Sequence, residues 1–530
     1  MDGDESQVVG SKLTRRALFR AGGGLGLTAF LAACTTTKSG SGQPAVSSSS
    51  PSPTPSRSAP SYSSLSSQLT KALLRPSDPG YASAARLYNP RFDASAHPAA
   101  IAECATTADV QACVRFAASG GAPLALRSGG HSYGGWSSGP GLVVDVTPMS
   151  SVVVDTASQT VRIGAGARLI DVYAGVAAKG VAVAAGSCPT VGITGLAQAG
   201  GIGVLARAWG LTCDSIRSVQ IVTADATIRE VSATADADLF WALRGGGGGS
   251  FGVVTALTLA VRAAPQVQTF YFSWDLSHAP AVLSAWQTWI ARADPQLWST
   301  CKLLTDPPKS SAVVTVSGTW IGASTALNAQ LAPLLAAIGV GASSTSKTSQ
   351  DYLNAMLLEA GCIGQSAAAC KVDALTPAKR QPFAATSAIL SAPLPSAGIA
   401  AAIERAEAGS SVSNLFEGGV SFDSFGGAIA SVAASETAFV HRQALASIQF
   451  TATWSSIQES PDPAPFDAYV RAGRSALAPW TGSGAYVGYS DAAIMNYGQA
   501  YWGANYPRLQ QVKKQYDPSS LFTFPQAVSA

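Results

Sequence analysis

Arg127-Ser-Gly-Gly-His-Ser-Tyr-Gly-Gly135 packs four glycines into nine residues, directly after the apolar run Pro123-Leu-Ala-Leu126. The run reads as a short buried strand. The glycines then let the backbone turn tightly and approach a ligand with no Cβ in the way. Successive N–H groups in such a turn form a nest for phosphate oxygens, and Arg127 adds a fixed cation. His131 stands in the middle of that cradle. Taken alone, a glycine-rich turn around a structural histidine would look the same. The candidate ligand contacts here are Arg127, Ser128, Gly129, Gly130, His131 and Ser132.

A second loop decides between these readings. Gly186-Ser-Cys188-Pro-Thr-Val-Gly-Ile-Thr-Gly195 follows the apolar run Val181–Ala185 and continues to Gln198-Ala-Gly-Gly-Ile-Gly203. A glycine-rich loop is an unusual place for a packing cysteine. In these two loops the chain resembles the berberine-bridge-enzyme-like flavin oxidases of the vanillyl-alcohol oxidase/p-cresol methylhydroxylase fold superfamily. The resemblance covers most of residues 85–265 and 410–530. It implies FAD as cofactor, with the flavin bonded through its 8α-methyl to His131 and through C6 to Cys188. Gly195, Gly200, Gly201 and Gly203 are further expected cofactor contacts, as are Gly252 and Val254 in Phe251-Gly-Val-Val-Thr255. The run Gly245–Gly249 resembles the family's second glycine-rich flavin contact and not a linker. Val191 stands where the family controls oxygen access to the flavin. A valine there resembles the oxidases, and a leucine the dehydrogenases.

One competing motif fails on context. Gly201-Ile-Gly203-Val-Leu-Ala206 fits a dinucleotide-binding GxGxxG/A pattern, with Asp225 lying 24 residues after Gly201. That site needs a buried strand before the first glycine, and Gly195-Leu-Ala-Gln-Ala-Gly200 does not read as one.

A chain of 530 residues has room for two or three domains. With 47% hydrophobic and 12% charged residues it is a well-buried globular protein. A net charge of +3, without a basic stripe interleaved with aromatics, argues against nucleic acid. His97, His131, His278 and His441 are far apart, and no Cys/His spacing suggests zinc, so no metal is expected.

The first 34 residues read as an address. Thr14-Arg-Arg-Ala-Leu-Phe-Arg20 is a twin-arginine signature, and the following apolar segment is too short to span a bilayer permanently. Leu31-Ala-Ala-Cys34 looks like a lipobox, which gives a lipid-anchored surface protein if Cys34 is lipidated and a secreted one otherwise. Residues 35–80, rich in Ser and Pro at their start, read as a disordered tether, with the folded body beginning near Tyr81.

Within the body, residues 81–265 form the expected FAD-binding domain, 266–477 the substrate domain, and 478–530 a return to the first. Ile101–Cys104 reads as a strand and Ala108–Ser119 as a helix capped by Thr106 or Thr107. That hairpin would bring Cys104 and Cys113 side by side, so a disulfide is plausible in an exported chain. Cys362–Cys370 is a second candidate, whereas Cys213 and Cys301 read as buried thiols.

The fold class is α+β: a two-part FAD-binding domain with a C-terminal return segment, plus an antiparallel-sheet substrate domain covered by helices. In Ser447-Ile-Gln-Phe-Thr-Ala-Thr-Trp454, strand alternation puts Ser447 and Gln449 on one face. The resemblance points that face at the substrate. Tyr486-Val-Gly-Tyr-Ser-Asp491 stands where relatives carry Tyr-x-Asn-Tyr-x-Asp, so Gly488 replaces an asparagine. Ala226 likewise replaces a usual turn glycine. The resemblance implies Tyr486 as catalytic base, with Gln449 orienting the substrate hydroxyl. An unperturbed tyrosine titrates near ~10, so the site is expected to lower that value. The resulting expectation is an exported monomeric oxidase with covalent FAD, oxidising an alcohol or hemiacetal of a sugar or bulky natural product with dioxygen. A flavin dehydrogenase and a catalytically silent glycan-binding lipoprotein are the alternatives.

Overall fold

Thr106 opens the helix Thr107–Ala118 with a capping box: its hydroxyl accepts from the Asp109 N–H, and the Asp109 carboxylate accepts from the Thr106 N–H at 2.9 Å. Both bonds satisfy donors that the first helical turn leaves orphaned. The computed structural model that shows this describes residues 61–305, 312–376, 379–455 and 462–530. The twin-arginine motif, Cys34 and the tether up to residue 60 lie outside the described residues.

The helix packs against two sheets. In the first, four strands lie in the order Leu73–Leu74, Ala100–Glu103, Leu142–Asp145, Leu124–Arg127, and the last three are mutually parallel. The second is antiparallel, in the order Val152–Asp155, Thr160–Gly164, Val253–Ala260, Ile216–Val222, Ile228–Ser232. Leu124–Arg127 therefore releases the first glycine loop at the carboxyl end of a parallel sheet, where open sheets bind ligands. The chain from Gly245 to Gly252 feeds directly into Val253–Ala260, the central strand of the second sheet.

A seven-stranded antiparallel sheet forms the other half, in the order Ser344–Asp351, Gln266–Asp275, Ala312–Trp320, Leu297–Thr305, Leu415–Ser424, Ala446–Trp454, Phe383–Leu390. Alternation divides its residues between two faces. Leu297, Cys301 and Leu303 join Trp274, Trp286 and Phe450 in a core under the helices Ala279–Ile290, Leu327–Ile338, Ser396–Ala408 and Ala464–Thr481. Trp298, Thr300 and Lys302, from the same strand, line the cavity on the opposite face.

Buried cations tie the halves together. Arg207 donates to the carbonyls of Leu297 (2.7 Å), Ala293 (2.9 Å) and Phe425. Arg442 forms a bidentate pair with Asp214 at 2.7 and 2.8 Å. Lys513, on the helix Tyr506–Tyr516, donates to Asp517 and to the carbonyls of Ser250 and Phe522. That contact returns the C-terminal segment to the second glycine run. Each arrangement gives a buried charge the partners that burial requires.

Two expectations are corrected. The folded body begins before residue 81: Tyr62–Ser66 is a helix with Leu65 fully buried, and Leu73–Leu74 pairs with Ala100–Glu103. Leu65, Leu73 and Leu74 supply apolar anchors inside the Ser-rich stretch, and Thr70 bonds Asp109 through both its N–H and its hydroxyl. Cys104 and Cys113 meet with sulfurs 3.8 Å apart, but both are free thiols. The strand–turn–helix geometry brings them into contact without bonding them. Cys362–Cys370 is a disulfide, and Cys213 and Cys301 are buried thiols. The segment before Gly201 is the helix Ile193–Gln198, which removes the dinucleotide motif from its required strand context.

Ala226 sits in the turn between Ile216–Val222 and Ile228–Ser232 with φ +58°. A β-carbon makes the left-handed region costly by about 1–2 kcal/mol, partly offset in a glycine variant by greater unfolded-state entropy. Ala226→Gly should therefore stabilise the protein by roughly 0.5–1 kcal/mol. The measurement is the thermal midpoint, which should rise; a fall would show the turn to be unstrained.

Candidate functional site

The two glycine loops touch backbone to backbone. A β-carbon on Gly129 would lie 2.1 Å from the Gly192 nitrogen, and one on Gly192 would lie 2.4 Å from the Gly129 nitrogen. Only glycine fits at either position. Arg168 fastens the same junction, donating to the Thr190 carbonyl at 2.8 Å and to that of Gly129 at 3.4 Å. Ser128 donates to the Ala165 carbonyl at 2.6 Å, so neither loop can move independently.

This junction fixes the chemistry of His131. Its Nε2 is 2.9 Å from the Thr190 hydroxyl, and its ring stacks on Tyr88 with centroids 3.7 Å apart. Burial, with help from the Arg168 cation, pushes the imidazole down to about 3. The ring is therefore neutral at physiological pH, with Nδ1 lacking a protein partner among the described residues. Cys188 lies on the other loop, its thiol open to the same cavity. The surrounding protein walls desolvate and so raise the thiol, although it opens to the cavity, and the Lys302 ammonium pulls in the opposite direction. Val191 stands beside it on the cavity wall, its N–H on the Cys188 carbonyl.

The cavity has a volume of about 810 Å³ and runs between the FAD-type sheets and the seven-stranded sheet. Of the expected cofactor contacts, Arg127, Ser128, Gly129, Gly130, His131, Ser132, Cys188, Val191, Gly195, Gly203, Gly252 and Val254 line it. Gly200 and Gly201 do not. Their missing side chains leave room for Phe439 and Thr212, so they serve packing. Gly246–Gly249 line the cavity, as expected from the second glycine run, and its fold-back is held by Gly245 and Gly247 N–H groups on the Gln198 carbonyl.

These walls fit FAD. A β-carbon on Gly195 would meet nothing within 4 Å, so its backbone is bare toward the cavity, and Gly248 approaches it from the second run. Thr194 Oγ1 lies buried on the wall without a protein partner. Arg127 is largely engaged as a strut, donating to the Ser137 and Ala84 carbonyls 3.6 Å from Asp145. One of its terminal nitrogens remains buried and unpartnered, available to a bound anion.

The opposite wall carries the expected Gln449 together with polar groups that the sequence did not single out. Gln449 donates to the Tyr133 hydroxyl at 2.9 Å, and Tyr133 stacks on Tyr489. Ser447, although on the same face as Gln449, is fully buried with its hydroxyl unpartnered. Lys302, Asp423 and Glu359 also face the cavity, and burial raises both carboxyls against the Lys302 charge. Tyr133 and Thr190 lay inside the recognised loops. Lys302 and Glu359 carried no local signal, since only the tertiary fold brings them to the site.

Tyr486 differs from expectation. Its side chain is 4% exposed, its hydroxyl accepts the Gly201 N–H at 3.2 Å, and its ring meets Tyr489 edge-on. Burial pushes this phenol above its ordinary value, outweighing the stabilising N–H groups of Gly201 and Ile202. The site therefore raises the titration that was expected to be lowered. Gly488 belongs to the same arrangement: a β-carbon there would lie 2.5 Å from the Tyr486 ring. The tyrosine ring fills the space beside the position where relatives carry an asparagine.

Comparison with known proteins agrees with this geometry. The family model for an FAD binding domain matches residues 98–232, and the model described as berberine and berberine like matches residues 485–529. The FAD-linked oxidoreductase YgaK of Bacillus subtilis is 31% identical over 474 residues, covering 87% of this chain and 97% of that protein. Chitooligosaccharide oxidase of Gibberella zeae is 31% identical over 457 residues, covering 81% and 87% respectively. Among solved structures, Physcomitrella patens BBE-like 1 superimposes with a TM-score of 0.79 at 29% identity, over 88% of this chain and 98% of that one. With two glycine loops, a second glycine run and a polar substrate sheet around one cavity, the chain belongs to the berberine-bridge-enzyme-like FAD-linked oxidoreductases.

Proposed function

We propose that this protein is an oxidase that carries FAD on two covalent bonds, at His131 and Cys188, and oxidises an alcohol or hemiacetal with dioxygen. The observation that carries the reading is the Gly129–Gly192 junction, which sets both attachment side chains on one cavity. Chitooligosaccharide and glucooligosaccharide oxidases among the relatives support a sugar or other secondary alcohol as substrate. Bound FAD would supply the acceptor for the substrate's hydride and pass the electrons to dioxygen.

The chain's own residues do the rest. The neutral His131 imidazole offers a lone pair, its ring plane set by Tyr88 and its Nε2 by Thr190. Cys188 reacts as a thiolate, which the Lys302 ammonium favours against burial. Gln449, oriented by Tyr133, can hold a substrate hydroxyl. Tyr486 would take its proton as the phenolate, the form that the Gly201 N–H stabilises against burial, and return to the phenol. A second reading assigns that step to Tyr489, on whose phenol the Asp423 carboxylate exerts the largest effect after burial.

Denatured, acid-precipitated protein should stay yellow, and His131→Ala and Cys188→Ala should each keep one bond by mass spectrometry of flavin peptides. Release of free FAD from the denatured wild type would overturn double attachment. Val191→Leu should slow reoxidation in air by roughly tenfold or more while leaving anaerobic reduction nearly intact, because one methylene fills a close-packed gap. Unaltered reoxidation would remove the oxygen-gating role. Stopped-flow reduction of Tyr486→Phe and Tyr489→Phe separates the two bases: the true one should lose roughly 10²–10⁴-fold with its flavin spectrum kept. If neither variant is slowed, the base is not a phenol.

A further inference from the structure

Lys302 and Asp423 stand on adjacent antiparallel strands, where Lys302 pairs with Ser421 and Thr300 with Asp423. Both side chains line the cavity, and Glu359 joins them from the end of the helix Tyr352–Glu359. None of the three forms an ion pair or a side-chain hydrogen bond with another described residue. Glu417 also lines the cavity but has a partner of its own. All three residues are half-buried around a single space, and ionisable groups drawn away from bulk water are normally paired, so together they mark out a polar ligand. Lys302 acts electrostatically on Asp423, on Glu359 and on Cys188, yet bonds none of them.

The chemistry of each group limits what fits. An ammonium has three donors and no acceptor, so the ligand atom on Lys302 must accept, and a carboxylate does so with charge assistance. An ionised carboxylate can only accept, so the ligand must present hydroxyls to Asp423 and Glu359. A neutral polyol satisfies the carboxylates and leaves the cation with weak acceptors. An amine meets the repulsion of Lys302. Resting on the oxidase reading above, we propose that the substrate is a hydroxy acid, an alcohol or sugar whose carboxylate is held by Lys302 while its hydroxyls donate to Asp423 and Glu359.

The test is anaerobic titration of the flavin-loaded protein with matched neutral and acidic pairs: glucose and glucuronate, galactose and galacturonate, cellobiose and cellobiouronate, 4-methylbenzyl alcohol and 4-(hydroxymethyl)benzoate. Perturbation of the flavin spectrum reports binding, and bleaching reports oxidation. In at least one pair the acid should bind about tenfold tighter or more, by a margin that shrinks with added salt. Lys302→Met should bring that ratio close to one, and Lys302→Arg should keep it, with a retained flavin spectrum showing that each variant folds. Neutral members that bind as well as the acids overturn the proposal, as does a preference that survives Lys302→Met. Acids that bind through Lys302 without bleaching the flavin would remove the oxidase reading and leave the anion site standing. Silence from every pair removes both.

Discussion

The contact between Gly129 and Gly192 is the constraint on which the site depends. Two loops from different parts of the chain can meet at main-chain distance only because neither carries a β-carbon there. Their meeting brings His131 and Cys188, 57 positions apart in the chain, to the lining of one cavity. It also creates the histidine's environment. Thr190 and Arg168 belong to the junction itself: Thr190 positions the imidazole, burial keeps it neutral, and the Arg168 cation adds to that effect.

The substrate side is assembled differently. It is one face of a seven-stranded sheet whose other face is covered by helices, so alternation along a strand assigns residues to core or cavity. Leu303 packs inward while Lys302 faces the site. Such a face can be rewritten residue by residue without disturbing the core beneath it. The flavin side has no such freedom, because glycine contacts and the buried Arg207, Arg442 and Lys513 clamps hold it in register. A fixed cofactor cradle facing a variable polar sheet is how one fold serves many substrates.

This difference also governs what could be read from the sequence. The loops were legible because their constraint is local: a glycine at a close approach or a histidine in a turn leaves a mark within a few residues. Strands such as Val152–Asp155 and Ile216–Val222, with their alternating or apolar runs, were legible for the same reason. The early start of the fold was obscured because Leu65 and Leu73 lie in a Ser-rich stretch whose average composition hides two anchors. Lys302, Asp423 and Glu359 could not be grouped at all, because they converge only through sheet pairing and the end of a helix. The Tyr486 environment was read in the wrong direction. The family resemblance identified the phenol, but burial, a tertiary property, sets its titration.

Burial leaves this cavity with a consistent electrostatic character. It drives His131 toward neutral imidazole, Cys188 toward thiol, Tyr486 and Tyr489 toward phenol, and Asp423 and Glu359 toward the protonated acid. The opposing contributions come from few places: the Lys302 ammonium near Cys188 and the two carboxyls, and the backbone N–H groups of Gly201 and Ile202 at Tyr486. Negative charge that develops during reaction is therefore stabilised at those two points and disfavoured elsewhere along the wall. Lys302 stands on the substrate face of the sheet, and Gly201 and Ile202 belong to the loop that follows Cys188 on the flavin side. On the proposed oxidase reading, an alcohol that gives up a proton with its hydride would build charge between these two points, so the groups that stabilise the anion would also orient the reacting carbon.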